Sequence, residues 1–390
     1  MSAPPAAACP ARAGERGFTL IELMIALVVS SLLVGFLFSM TRQIGDAFRA
    51  QRRVTDVQQT LRTVGALMAS DLRQAGFLVS AGFRTSAWGT PDLIVQPLQI
   101  VNDADGTGPD LIRIYYADPS ASGRVTAIDP AARQWADVQH AAGFEVGDLA
   151  VLVNAELLTG ADGKPDGVAY ESCVVRVTGV DAGDPGRIHF AASAPINTST
   201  NQQCAAVAAE TDAEGASTDT AIYRFVGRSY RVDPERRDLG VLQGSPTGEL
   251  VPDDWTDLAL GVTTIQVASR YREPGDLVDR DGDGDAEQDW YSSENQETPD
   301  PTGTRPAGAL LAELTLSIET RSSLREADTP SAESGSFTVE GAAANNPLGD
   351  WPSVALAATP DADRPVGYRG RHAYRWSTTR VDLRNLAVRR

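Results

Sequence analysis

An apolar run opens the pattern of the chain. From residue 18 to residue 40 the positions are hydrophobic or small, and Glu22 carries the segment's only formal charge. About 20 such residues suffice to cross a bilayer as a helix, so the run predicts a transmembrane helix over 18–40. The pattern then changes without breaking. Ile44, Phe48, Val54, Val57, Leu61, Val64, Met68 and Leu72 follow, and apart from one gap after Phe48 their spacing is all threes and fours. That rhythm predicts a one-sided amphipathic helix over 41–76 that continues into a globular domain. Gly76 is placed to end it as a C-cap. Such a helix would be roughly 90 Å long at about 1.5 Å per residue. Its second part needs an apolar surface to lie on, since a free coiled coil would need a longer strict heptad.

Past Gly76 the apolar positions fall into short β-like runs between polar loops. Strands are expected at 111–117, 149–154, 173–180 and 187–191, then at 221–232, 262–271, 310–320 and 372–386. The stretches 288–305 and 321–365 are rich in Ser, Pro, Gly, Asn and acids and read as long surface insertions. A long helix followed by strands is an α+β layout, with residues 77–390 as one β-rich domain.

Charge narrows the function classes. The formal net charge is −18, and Lys164 is the only lysine. Nucleic-acid binding needs clustered Lys and Arg against phosphate, so no nucleic-acid partner is expected. Catalytic patterns are missing from the sequence as well. His140, His189 and His372 are scattered without metal-ligand spacing. The stretch from Gly160 to Pro165 lacks both the P-loop spacing and its Ser or Thr, and no Gly-x-Ser-x-Gly elbow is present. The expectation is a protein that is not an enzyme.

Glu22 is the informative exception within the apolar run. A carboxylate at membrane depth costs several kcal/mol by most estimates, so a chain that keeps one needs a partner for it. Gly17-Phe18-Thr19-Leu20-Ile21-Glu22-Leu23-Met24, preceded by Arg12 and Arg16, resembles the class III signal of type IV prepilins and pseudopilins. The resemblance implies a leader over 1–17, cut by a prepilin peptidase between Gly17 and Phe18 on the cytoplasmic side, and N-methylation of Phe18. It also implies that Glu22 pairs with the N-terminal amine of a neighbouring subunit, and that the partners are other major and minor pilins at the inner membrane. The C-terminal domain would then lie in the periplasm and later on the pilus. Arg42, Arg49, Arg52 and Arg53 follow the span. A positive-inside count taken alone would put that side in the cytoplasm, but the processing motif and the cysteines point outward.

Later segments resemble, in their order, the PilW-type minor pilins. These are Asp71-Leu72-Arg73-Gln74-Ala75-Gly76-Phe77, Asp110-Leu111-Ile112-Arg113-Ile114-Tyr115-Tyr116, Val146-Gly147-Asp148-Leu149, Leu258-Ala259-Leu260-Gly261-Val262 and Val381-Asp382-Leu383-Arg384-Asn385. The fold this implies is type IV pilin-like, a long N-terminal helix packed on an antiparallel β-sheet with long loop insertions. The function it implies is a structural part in type IV pilus assembly or initiation and twitching-type motility. A type II secretion pseudopilin and a pilus-tip adhesin are the alternatives.

Two candidate sites complete the reading. Cys9 leaves with the leader, so Cys173 and Cys204 remain as an even pair closing a loop of about 30 residues. In an oxidising compartment that pair is expected to form a disulfide contributing about 3–4 kcal/mol. Asp279, Asp281, Asp283 and Gly284 stand at positions 1, 3, 5 and 6 of an EF-hand-like loop, with Asp285 and Glu287 at positions 7 and 9 and Asp289 nearby. Stacked hard oxygens around a glycine turn suit calcium. Trp290 stands where an EF-hand has its bidentate glutamate, and a solvated acidic turn is the competing reading.

Overall fold

The computed structural model describes residues 19–79, 82–85, 93–101, 109–129, 134–159, 165–181, 183, 186–191, 197, 220–236, 239–251, 254–272, 310–321, 374–383 and 385. The architecture is α+β. Among the described residues one helix, α1 (Leu20–Gln74), precedes fifteen strands. By compactness the chain divides into a unit covering Met1–Arg53 and a unit covering Val54–Arg390.

In the first unit, α1 exposes apolar side chains from Leu20 to Phe48 on all sides. Two of its hydroxyls are satisfied locally. Ser31 Oγ donates to the Val28 carbonyl and Thr41 Oγ1 to the Leu37 carbonyl, both at 2.8 Å. This back-bonding lets polar side chains sit in an apolar run without an outside partner.

In the second unit the rhythm of threes and fours becomes a packed face. Val57, Leu61, Val64, Met68 and Leu72 are buried, and Ala69 joins them. The face meets a core built from two sheets, with Ile112, Ile114, Tyr230 and Leu242 on one side and Ile265, Leu314, Leu316 and Ile318 on the other. Full burial of one such aliphatic side chain contributes about 1.5–3 kcal/mol. The helix stops at Gln74 because Gly76 takes a left-handed φ of 78° and turns its N–H to the Tyr115 carbonyl at 2.9 Å. Asn385 donates its side-chain amide to the Arg73 carbonyl at 3.2 Å, occupying one acceptor that the helix leaves over.

Among the described residues the larger sheet holds twelve strands. The main path runs β2 (Leu93–Val95), β1 (Phe83–Thr85), β7 (Pro165–Arg176), β6 (Leu149–Thr159), β10 (Thr220–Val232), β4 (Leu111–Ile128), β5 (Trp135–Val138), β9 (Gly186–His189) and β8 (Gly179–Asp181). Off this path, β3 (Leu98–Val101) pairs with β4, while β11 (Val241–Ser245) pairs with β10 and with β12 (Thr256–Leu260). The smaller sheet is β13 (Val262–Arg272), β14 (Leu310–Arg321) and β15 (Tyr374–Asp382). The expected single antiparallel sheet is thus two sheets, and the larger is mixed, since β1 pairs with β7 in parallel. The division falls at Gly261, whose φ of 85° turns the chain out of β12 and into β13. Asp110 fastens the two sheets together. Its N–H donates to the Ile265 carbonyl at 2.8 Å and its carboxylate accepts the Val267 N–H at 2.7 Å.

Several strands differ from expectation: β6, expected over 149–154, runs on to Thr159, and β7 starts at Pro165 and not at 173. Two further differences have identifiable reasons. The strand expected over 111–117 runs on to Ile128, because Asp118-Pro119-Ser120, which reads as turn chemistry, forms a bulge against Tyr223 and Arg224 of β10. The Asp118 carboxylate accepts the Ser120 N–H at 2.9 Å and its hydroxyl at 2.6 Å, satisfying the groups the bulge removes from the ladder. The strand expected over 173–180 is broken between β7 and β8. There the Asn197 side chain takes the ladder's place, accepting the Arg176 N–H at 2.8 Å and donating to its carbonyl at 2.7 Å.

Candidate functional site

The site that the sequence singles out begins at the first turn of α1. Thr19 is its N-cap, and Glu22 stands three residues on. The Glu22 N–H donates to Thr19 Oγ1 at 3.3 Å. In return, the Glu22 carboxylate accepts the Thr19 N–H at 2.9 Å and the Thr19 hydroxyl at 3.0 Å. This is a reciprocal capping box, which satisfies two of the donors that every helix start leaves over. The carboxylate also lies at the positive end of the helix dipole. The sequence reading assigned Glu22 to a neighbour and missed Thr19. The Thr-x-x-Glu spacing ahead of an apolar run is the signal that finds it.

The segment that follows is long and apolar enough to cross a membrane by length and composition. Beyond it, Arg42, Arg49 and Arg52 are exposed on the helix. Further along the same helix, Asp71 is buried and its carboxylate accepts the Tyr230 hydroxyl of β10.

The remaining residues singled out from sequence fall as follows. Gly17 and Phe18 lie outside the described residues, as do Cys204 and the whole acidic loop with Asp279, Asp281, Asp283, Asp285, Glu287 and Asp289. Cys173 is buried toward the C-terminal end of β7, opposite Leu152 of β6. Among the described residues there is no cluster of three or more His, Cys, Asp or Glu arranged to hold a metal. His189 Nε2 lies within hydrogen-bond distance of the Asp181 carboxylate, at 2.9 Å, on the exposed β8–β9 edge.

Comparison with known families bears on the first of these features. Residues 12–38 match the prokaryotic N-terminal methylation motif. That stretch is type IV prepilin-like. The match runs from ahead of Gly17 into the start of the apolar helix. It implies, in general terms, handling by a prepilin peptidase and assembly with other pilin-like subunits. It fits anchoring of the N-terminal helix in a membrane. No curated relative and no solved structure matches the chain.

Proposed function

We propose that this chain is a PilW-type minor pilin with a type IV pilin-like fold, contributing structurally to pilus assembly or initiation and to twitching-type motility. The observation that carries the reading is α1 itself. A single helix starts inside the methylation motif and runs unbroken to Gln74. In this reading the peptidase cuts between Gly17 and Phe18, Phe18 is methylated, and Glu22 meets the N-terminal amine of a neighbouring subunit. The domain lies on the periplasmic side of the inner membrane and then in the pilus. The protein carries no catalytic activity of its own.

Two further elements belong to the proposal. The even pair that remains once the leader is removed, Cys173 and Cys204, forms a disulfide. The acidic loop over 279–289 takes calcium through its stacked carboxylates.

Deleting the gene and scoring surface pili, secreted enzymes and surface attachment tests the reading. Loss of pili with secretion intact is expected. Loss of secretion with pili intact would instead make the chain a type II secretion pseudopilin, and loss of attachment alone would make it a tip adhesin.

A further inference from the structure

The arginines after the apolar span have no part in the function proposed above. Arg42 lies two residues past Met40, about 3 Å along the helix axis, and Arg49 lies about 10 Å beyond it. The spacing of seven puts both on nearly one face of α1, and Arg52 follows less than one turn later. All three are exposed. Residues 41–53 hold four arginines against the single acid Asp46, in a chain whose formal charge is −18. A basic collar is therefore set at the end of an apolar helix in an otherwise acidic protein.

Helix geometry says where these side chains reach. Every Cα–Cβ bond on an α-helix tilts toward the N-terminus, and long side chains follow it. Arginines placed C-terminal to the span thus lean back toward it. The polar headgroup layer is about 5–7 Å thick on each side of a hydrocarbon core of about 30 Å. Arg42 starts within that layer. Arg49 starts about 7 Å outside that layer, a span comparable to its own extended side chain, and can return along its apolar stem, as snorkelling side chains do. Guanidinium is the side chain best matched to phosphate, binding two oxygens through a planar fork.

We propose that Arg42 and Arg49 dock on the lipid phosphates of the leaflet at the C-terminal end of the span and so set the depth of the subunit in the bilayer before assembly. This rests on the reading that the apolar segment of α1 lies in lipid. Arg52 lies within reach of the surface potential and adds attraction without direct contact. The same arrangement gives the arginines a role on the far side of the membrane, where a positive-inside count would not place them.

The test uses the full-length chain carrying guanidino-13C arginine, reconstituted in vesicles of phosphatidylethanolamine and phosphatidylglycerol. Solid-state 31P–13C recoupling reads contact between guanidinium and phosphate. A photo-cross-linker at Leu32, in a parallel sample, reads contact with acyl chains. The proposal expects dephasing of the arginine signal by phosphorus, most of it lost in Arg42→Gln/Arg49→Gln, with Leu32 cross-linked to lipid in both proteins. Leu32 cross-linked to lipid with no dephasing, or with dephasing unchanged in the double variant, overturns the collar and leaves the membrane span standing. Leu32 without lipid adducts overturns the span and the collar with it. A cross-linker at Gln43 that captures an acidic protein surface in place of lipid in cell membranes also overturns the proposal.

Discussion

The Tyr230 hydroxyl of β10 donates a hydrogen bond to the Asp71 carboxylate near the end of α1, and both residues are buried. A buried carboxylate without a partner is costly, so this bond ties the helix to the larger sheet at a defined register. Leaving a buried acceptor unmatched costs about 1–3 kcal/mol. Tyr230→Phe should lower the stability of the full-length protein in detergent by that amount, read from denaturant or thermal unfolding. Burial first, and then the bond to Asp71, raises the Tyr230 pKa well above its ordinary 10.0. The folded value is the raised one, so the contribution is full below pH 10.0 and is lost as pH rises from there toward the folded value. The alkaline decline in stability should therefore be shallower in Tyr230→Phe than in the parent protein. An unchanged slope would mean that this tyrosine does not govern it.

A second cluster predicts acid behaviour. Arg236 grips Asp257 with two bonds of 2.8 and 2.7 Å and Asp233 with one of 2.6 Å, and Gln243 donates to Asp233 at 3.1 Å. Burial works against the charge on Asp233. The Glu235 amide and the Arg236 guanidinium together outweigh it and hold that carboxyl below its ordinary 3.8. The Arg236 guanidinium, with Gln243 second, does the same for Asp257. Depressed carboxylates stabilise above their ordinary range, and the effect fades as pH falls through the folded values. Arg236→Gln should destabilise at neutral pH, and the difference from the parent should shrink below about pH 4. A gap that persists at lower pH would assign the effect to packing of the arginine stem.

At the helix start, Glu22→Ala and Glu22→Gln separate two roles. Glutamine keeps a capping oxygen and removes the charge, whereas alanine removes both. Mass spectrometry should find an N-terminus at methylated Phe18 in the parent and in both variants. Both variants should join other pilins poorly, because neither offers an anion to a neighbouring amine. Normal incorporation of Glu22→Gln would show that the cap alone suffices.

The acidic loop makes the fourth prediction. Five aspartates within 279–289 repel one another unless a cation lies among them. Calcium at millimolar levels should raise the melting temperature of the full-length protein, because it binds the folded state preferentially. Magnesium should do less, since it demands octahedral geometry and sheds water reluctantly. Asp281→Ala with Asp283→Ala should remove the gain. A melting curve indifferent to calcium would leave the loop a solvated turn.

How much of this was legible depended on element length. The buried face of α1 could be read residue by residue, because Val57, Leu61, Val64, Met68 and Leu72 repeat at helical spacing over several turns. The long strands β10, β13 and β14 were visible for the same reason. β1, β2, β3, β5, β11 and β12 were not, since three to five residues are too few for alternation to stand out. The bulge at Asp118 and the interruption at Asn197 depend on bonds from distant or local side chains that no periodicity encodes. The change of sheet at Gly261 was not legible, because its positive φ leaves no trace in the hydrophobic pattern. At the candidate site Glu22 stood out by its charge, whereas Thr19 was hidden by being unremarkable in its surroundings.

The closed ring between Thr19 and Glu22 changes what joining a filament would mean for a single subunit. A cation that approaches this end of the helix does not find a bare anion awaiting neutralisation. It finds two hydrogen bonds already made, so docking is an exchange of partners, and its driving force is the difference between the old bonds and the new pair. In a subunit whose helix lies in lipid, the ring would hold the carboxylate there at reduced cost. The same economy weakens the pull of any one neighbour, which leaves the final choice of partner to the wider helix surface.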